Sequence, residues 1–302
     1  TAIEIYNAVY TKDPAIVKKI TLQKLLVNLD RTCKATGMSS CFLYNDELSV
    51  LVGRQGTSEL MDFLTGVYNC NSRWDNETKG AGVDILKNVF VNFLSGTTPG
   101  DLASMPTAMI QGGFSGRALF IYSNTPRPPV PIPKKMFSDE TGIIRQKLVS
   151  DLSIISNMTG EFIFSSDGEK LFEEIYIQNY NNHNKDFRVT PYYGRKGDHL
   201  MKLSMVLTAS KRNELIIDAE SIYKANMFLA GIEETLQDSF SHISYVSGSG
   251  GGGVKHSEKF LALLRKGNGA VDHSVALKQL YHYLNKDEFQ VLVSTLEESG
   301  VI

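Results

Sequence analysis

The chain has 302 residues, 42% hydrophobic and 21% charged, an ordinary globular composition with room for two or three domains. A formal net charge of -2 gives no overall pull toward nucleic acid, so any such contact must come from a local basic strip. No apolar run approaches the ~20 residues of a bilayer span, nothing at the start resembles a signal peptide, and Cys33, Cys41 and Cys70 form no CxxC pair. A cytoplasmic chain with reduced thiols and no membrane partner is expected.

Ile3 to Tyr10 is apolar at mixed spacing, and Asp13-Pro14 after it signals a turn or a helix start. Leu22, Leu25, Leu26, Leu29 and Cys33 recur at helical spacing, with Thr21 placed to cap the helix and Gly37 to end it. Cys41-Phe42-Leu43-Tyr44-Asn45 then reads as a buried parallel strand that closes on Asp46 and Glu47. Open α/β sheets present ligands at that end of their strands. Two acids there are costly to bury without a positive partner. In P-loop ATPases the partner is Mg²⁺ on a nucleotide: the first acid holds the metal and the second orients the attacking water. Asp46 is therefore the candidate Mg²⁺ site and Glu47 the candidate water activator. The same pair could simply cap the following turn.

After a loop at Gly53-Arg54-Gln55-Gly56, the spacing of Leu60, Phe63, Leu64 and Val67 predicts a helix from about Ser58 to Tyr68. Ser72 to Val83 reads as an irregular β-hairpin. Its Arg73, Trp74 and Lys79 combine an aromatic face with cations, which suits single-stranded nucleic acid; Trp74 could equally cover the hairpin's own apolar side. A second buried strand, Val89 to Leu94, leads to Ser95-Gly96-Thr97-Thr98-Pro99, so hydroxyls stand at the same sheet edge as the acids. Gly112-Gly113-Phe114-Ser115-Gly116-Arg117 opens an expected third strand, Ala118 to Tyr122. From there Arg117 could reach a neighbouring subunit's γ-phosphate, or pair with a local acid.

Five of the nine prolines fall between Thr125 and Pro133, marking a semi-rigid boundary. Helical patterns follow, the last of them, Ile222 to Leu236, capped by Asp218. Arg195-Lys196-Gly197-Asp198-His199-Leu200-Met201-Lys202 gathers cations at a helix start, either a phosphate sensor on a lid or a solvated basic turn. Ser247 to Gly253 is a Gly/Ser linker. Phe260 to Leu264, Val275 to Tyr283 and Phe289 to Leu296 are then three short helices in winged-helix order, without the wing. A GxxxxGK[ST] phosphate loop is absent from these residues. His183, His242, His273 and His282 show no metal spacing.

Taken together, Asn45-Asp46-Glu47-Leu48-Ser49, the hairpin, Phe93 to Pro99, Gly112 to Phe120 and Arg195 to Leu203 resemble a family of P-loop helicase-like proteins of phages, plasmids and mobile islands. That family is often catalogued as a domain of unknown function and is commonly fused to or encoded beside primase domains. The resemblance spans about Leu22 to Leu236 and implies an α/β P-loop NTPase core portion, AAA+/RecA-like, over 1–124. A Pro-rich linker at 125–137, a helical lid-like domain at 138–245, a Gly/Ser linker at 246–255 and a winged-helix domain at 256–302 with its wing truncated complete the expected organisation.

It also implies an ATP-dependent DNA helicase or primase-helicase, similar to AAA+ and superfamily 3 enzymes, working as a homo-oligomeric ring, a hexamer, on single- or double-stranded DNA with ATP and Mg²⁺. The Walker B acids would fall on Asp46 and Glu47, sensor 1 on Thr97 or Thr98, and the arginine finger on Arg117. Arg195, with His199 and Lys202, would be the lid-side sensor, and the hairpin around Trp74 and Lys79 the pore loop. The family's Walker A position lies upstream of Thr1, so the resemblance implies an internal portion of a longer protein, inactive alone. A DNA-binding replication initiator or regulator with a degenerate ATPase fold is the alternative, although Lys255, Lys259, Arg265, Lys266, Lys278 and Lys286 are balanced by as many acids. An oligomerisation module is a third.

Overall fold

The apolar run closing on Asn45 forms the middle of a parallel sheet, as its length and polar flanks dictate. The structure, a computed structural model, describes residues 2–11, 15–17, 20–52, 58–78, 82–103, 113–123, 125, 129–132, 139–181, 189–239, 253–267, 270–280, 286–298 and 302. Two compact units, Thr1–Phe240 and Ser241–Ile302, divide the chain.

In the first unit, α1 (Ala2–Val9) precedes a two-residue strand, β1 (Ile16–Val17). α2 (Leu22–Thr36) follows, and Thr21 Oγ1 accepts the Lys24 N–H at 3.4 Å. Leu25, Leu26 and Leu29 bury one face of this helix, and Gly37 ends it at φ +82°, donating its N–H to the Cys33 carbonyl at 2.8 Å. Then come β2 (Ser40–Asn45), α3 (Leu48–Val52), α4 (Ser58–Gly66), a 3₁₀ turn at Val67–Asn69, and the antiparallel hairpin of β3 (Arg73–Thr78) and β4 (Gly82–Lys87). β5 (Phe90–Ser95) pairs in parallel with β2, Ser40 opposite Phe90 and Asn45 opposite Ser95, while β1 pairs with the other side of β2. The order β1-β2-β5 leaves β5 at the rim, where no described strand pairs its outer edge and Phe90 and Leu94 are 41% and 51% exposed. α5 (Pro99–Ala103) leads away from its tip.

The run Ala118–Tyr122, expected as a third strand, joins no ladder among the described residues. The Phe114 carbonyl accepts the N–H groups of Arg117 at 2.9 Å and Ala118 at 3.1 Å in a turn, and Leu119 then packs on a helical core. An apolar stretch this short satisfies a helical groove as well as a sheet, and periodicity alone does not separate the two. α6 (Asp139–Ser156) packs against α1. After β6 (Ile163–Phe164) come α7 (Ser166–Asn181), α8 (Thr190–Tyr193), α9 (Lys196–Lys211), β7 (Ile216–Ile217) and α10 (Ala219–Ser239). β6 and β7 pair in parallel, and Asp218 caps α10 by accepting the Ser221 N–H at 2.9 Å. Ile175, Leu200, Ile217, Ile222, Ala225 and Leu229 make this core.

The second unit holds α11 (Gly253–Lys266), α12 (His273–Leu280) and α13 (Lys286–Glu298). Phe260 meets Phe289 edge to face at 5.3 Å, over Ala276, Leu280, Leu292 and Leu296. Asp272 caps α12, accepting the Ser274 N–H at 2.8 Å. The glycine-rich residues 247–252 lie outside the described residues. No described helix is long and apolar enough to cross a membrane.

Candidate functional site

The tips of β2 and β5 lie side by side, and backbone bonds fix the turn that carries the acid pair. Buried Asn45 accepts the Glu47 N–H on its Oδ1 at 2.9 Å. The Gly96 N–H donates to the Asn45 carbonyl at 3.2 Å, and the Leu48 N–H to the Gly96 carbonyl at 2.7 Å. Only a glycine fits at 96, because a Cβ there would strike the Asp46 carbonyl oxygen.

The side chains themselves are occupied locally. Exposed Asp46 accepts the Tyr44 hydroxyl at 2.5 Å, which raises the Tyr44 pKa, and exposed Glu47 accepts the Ser49 hydroxyl at 2.5 Å. Thr98 Oγ1 donates to Asp101 Oδ2 at 2.7 Å and accepts the Asp101 N–H at 3.1 Å, which makes it a cap on α5. Thr97 Oγ1 lies 3.5 Å from the Thr98 carbonyl. The structure thus brings the acids and the threonines to neighbouring strand tips, each side chain engaged by a partner close in sequence.

Among the described residues no group of three or more His, Cys, Asp or Glu side chains could hold a metal ion. Asp46 and the neighbouring hydroxyls are nonetheless hard oxygen donors, and Mg²⁺ is ordinarily held by one or two carboxylates plus phosphate and water. The donor set fits that ion.

A cavity of about 900 Å³ runs along β5 and is lined by Phe90 to Thr98, the 117–122 segment and α9; it includes Thr97 and Thr98 but neither acid. Arg117 and Lys202 reach it from opposite elements and share the Tyr68 ring, the guanidinium carbon 5.8 Å and the ammonium 3.5 Å from its centroid. Lys202 Nζ donates to the Tyr68 carbonyl at 2.6 Å, and Arg117 Nη1 to the Gly113 carbonyl at 3.0 Å. Arg117 Nε is buried without a hydrogen-bond partner. Burial depresses the pKa of both cations, and each also feels another positive charge, Arg195 at Arg117 and Arg117 at Lys202.

His199 is buried between the Tyr68 hydroxyl, 3.2 Å from Nδ1, and the Gly116 carbonyl, 3.0 Å from Nε2. Burial lowers its pKa, so it is neutral at pH 7. Burial likewise pushes the Tyr68 hydroxyl up to about 12, with the Asp198 charge adding to the effect. Arg195 pairs with Asp198 at 3.0 Å, and Lys196 with Glu233 at 2.7 Å, while Tyr192 donates to Glu233 at 2.9 Å.

Arg117, His199 and Lys202 therefore converge on Tyr68, and Arg117 is turned into its own unit. Tyr68 and Glu233 carry no sequence signal that would have marked them. On the hairpin, Trp74 sets its ring edge-on to Phe63 at 4.9 Å, and Arg73 Nε pairs with Asp75 at 2.8 Å. Lys79 lies outside the described residues. A nucleic-acid role for the hairpin draws no support from these contacts. No protein-family model matches the chain, and no curated protein matches it.

Proposed function

We propose that this chain belongs to an ATP-dependent DNA helicase or primase-helicase of a phage or mobile element, with an AAA+/RecA-like P-loop core. What carries the proposal is the registered pair of parallel strands, Asn45 opposite Ser95, whose tips bear Asp46-Glu47 and Thr97-Thr98 side by side. Asp46 would hold Mg²⁺ and Glu47 would orient water toward the γ-phosphate. The Mg²⁺ and nucleotide, when bound, would supply charge neutralisation and the phosphoryl group.

Thr97 or Thr98 would sense phosphate, and Arg195 with His199 and Lys202 would do so from the lid side. A trans role for Arg117 has weaker support, since its guanidinium is engaged by Gly113 and Tyr68 of its own chain. A homo-oligomeric ring on DNA, a linked primase domain and a cytoplasmic location belong to the same proposal. Glu47→Gln in the full-length protein should abolish Mg²⁺-dependent ATP turnover and spare nucleotide binding; turnover at the unaltered rate rejects the assignment.

One observation favours a second reading, a DNA-binding initiator or regulator with a degenerate ATPase fold. Asp46, Glu47 and Thr98 are each already engaged by a local partner, Tyr44, Ser49 and Asp101. Salt-dependent DNA binding without nucleotide stimulation would select that reading.

A further inference from the structure

The cationic end of the cavity beside β5 calls for a ligand of its own. Arg117 and Lys202 make no ion pair among the described residues. Asp198 is the carboxylate whose field both feel, and it is engaged by Arg195. Partly buried cations without an anion are unfavourable, and here the Tyr68 ring compensates only in part. Arg117 commits Nη1 to Gly113 and leaves its buried Nε unmatched, the edge from which a guanidinium grips an oxyanion. Lys202 has three donors and gives one to the Tyr68 carbonyl. Away from this end the walls are apolar, formed by Phe90, Leu94, Phe114, Leu119, Leu203 and Val206. At about 900 Å³ the space is of the size that takes a small organic molecule.

We infer that this cavity binds a small organic acid, its carboxylate or phosphate head on Arg117 and Lys202 and its aliphatic or aromatic body along β5 and α9. Thr97, Thr98, Arg117, His199 and Lys202, which the proposed ATPase also calls on, line this cavity, but neither Asp46 nor Glu47 does, so the inference does not rest on the hydrolytic pair.

The test is equilibrium binding of 11-(dansylamino)undecanoic acid to the whole chain, read by dansyl fluorescence, beside its neutral primary amide. The acid should bind saturably at one site and about tenfold or more tighter than the amide. Lys202→Met and Arg117→Met should each remove most of that preference. Should those variants fail to fold, Val206→Trp at the exposed wall of the cavity keeps the question open to measurement: it should abolish binding while leaving the melting temperature unchanged. Decanoate and decyl phosphate should both displace the probe, and the more potent of the two identifies the head group. Equal affinity for acid and amide, or undiminished binding to Val206→Trp, would overturn the inference. So would complete release of the probe by Mg-ATP, which would give the cavity to the nucleotide.

Discussion

Gly113 is held at φ +94°, and a Cβ added there would stand 2.7 Å from Nη1 of Arg117. Backbone strain and the clash act together, so Gly113→Ala should destabilise the first unit by about 1 to 3 kcal/mol in urea unfolding. Gly142, which has open space where its Cβ would be and lies within α6, is the matched control: alanine there should stabilise by about 0.5 to 1 kcal/mol. His199 supplies a pH dependence. Burial lowers its pKa from 6.5, so the unfolded chain takes up this proton at a higher pH than the folded one. The stabilising effect is therefore complete above about pH 6.5 and is lost as pH falls from there toward the folded value. Between about pH 7.5 and about 5.5 the parent should lose more stability than His199→Gln, as measured by chemical denaturation at each pH.

At the scale of the element, Thr98 decides how α5 begins. Thr98→Ala should cost about 1 kcal/mol and speed amide exchange over residues 100–103, and Thr98→Asn, which can still cap, should restore protection. Loss of nucleotide response in both variants, with protection intact in the second, would separate sensing from capping. The helix from Leu22 to Thr36 and the strands β2 and β5 were legible because each carries a strong local signal: Thr21 and Gly37 at the ends of the helix, and apolar runs bounded by polar residues in the strands; β5 was read as a buried strand, but as the rim strand it has no buried residue from Phe90 to Ser95. Ala118–Tyr122 has the same apolar composition and is not a strand, since Leu119 finds its partners on helices distant in sequence. β1, two residues long, leaves too little pattern to read.

In the molecule as a whole, the two units have separate cores, so damage to one should be confined to it. Phe289 is almost fully buried against Phe260, and Phe289→Ala should remove about 3 to 5 kcal/mol, enough to erase a small three-helix core. Calorimetry should then show the transition of the second unit lost and that of the first unit unshifted. The candidate site was only half legible for a related reason. Apolar runs and adjacent acids mark the strand tips as candidates, but whether a side chain turns to Tyr44, to Ser49 or into a cavity depends on neighbours that assemble only on folding. Tyr68, on which Arg117, His199 and Lys202 meet, stands more than a hundred residues from the last two. The outermost strand, β5, has a further effect on behaviour in solution. Among the described residues no strand pairs the outer edge of β5, and an open edge beside Phe90 and Leu94 is a template for extended chain from another molecule, so lysine in place of Leu94 should lower the tendency of crowded solutions to aggregate.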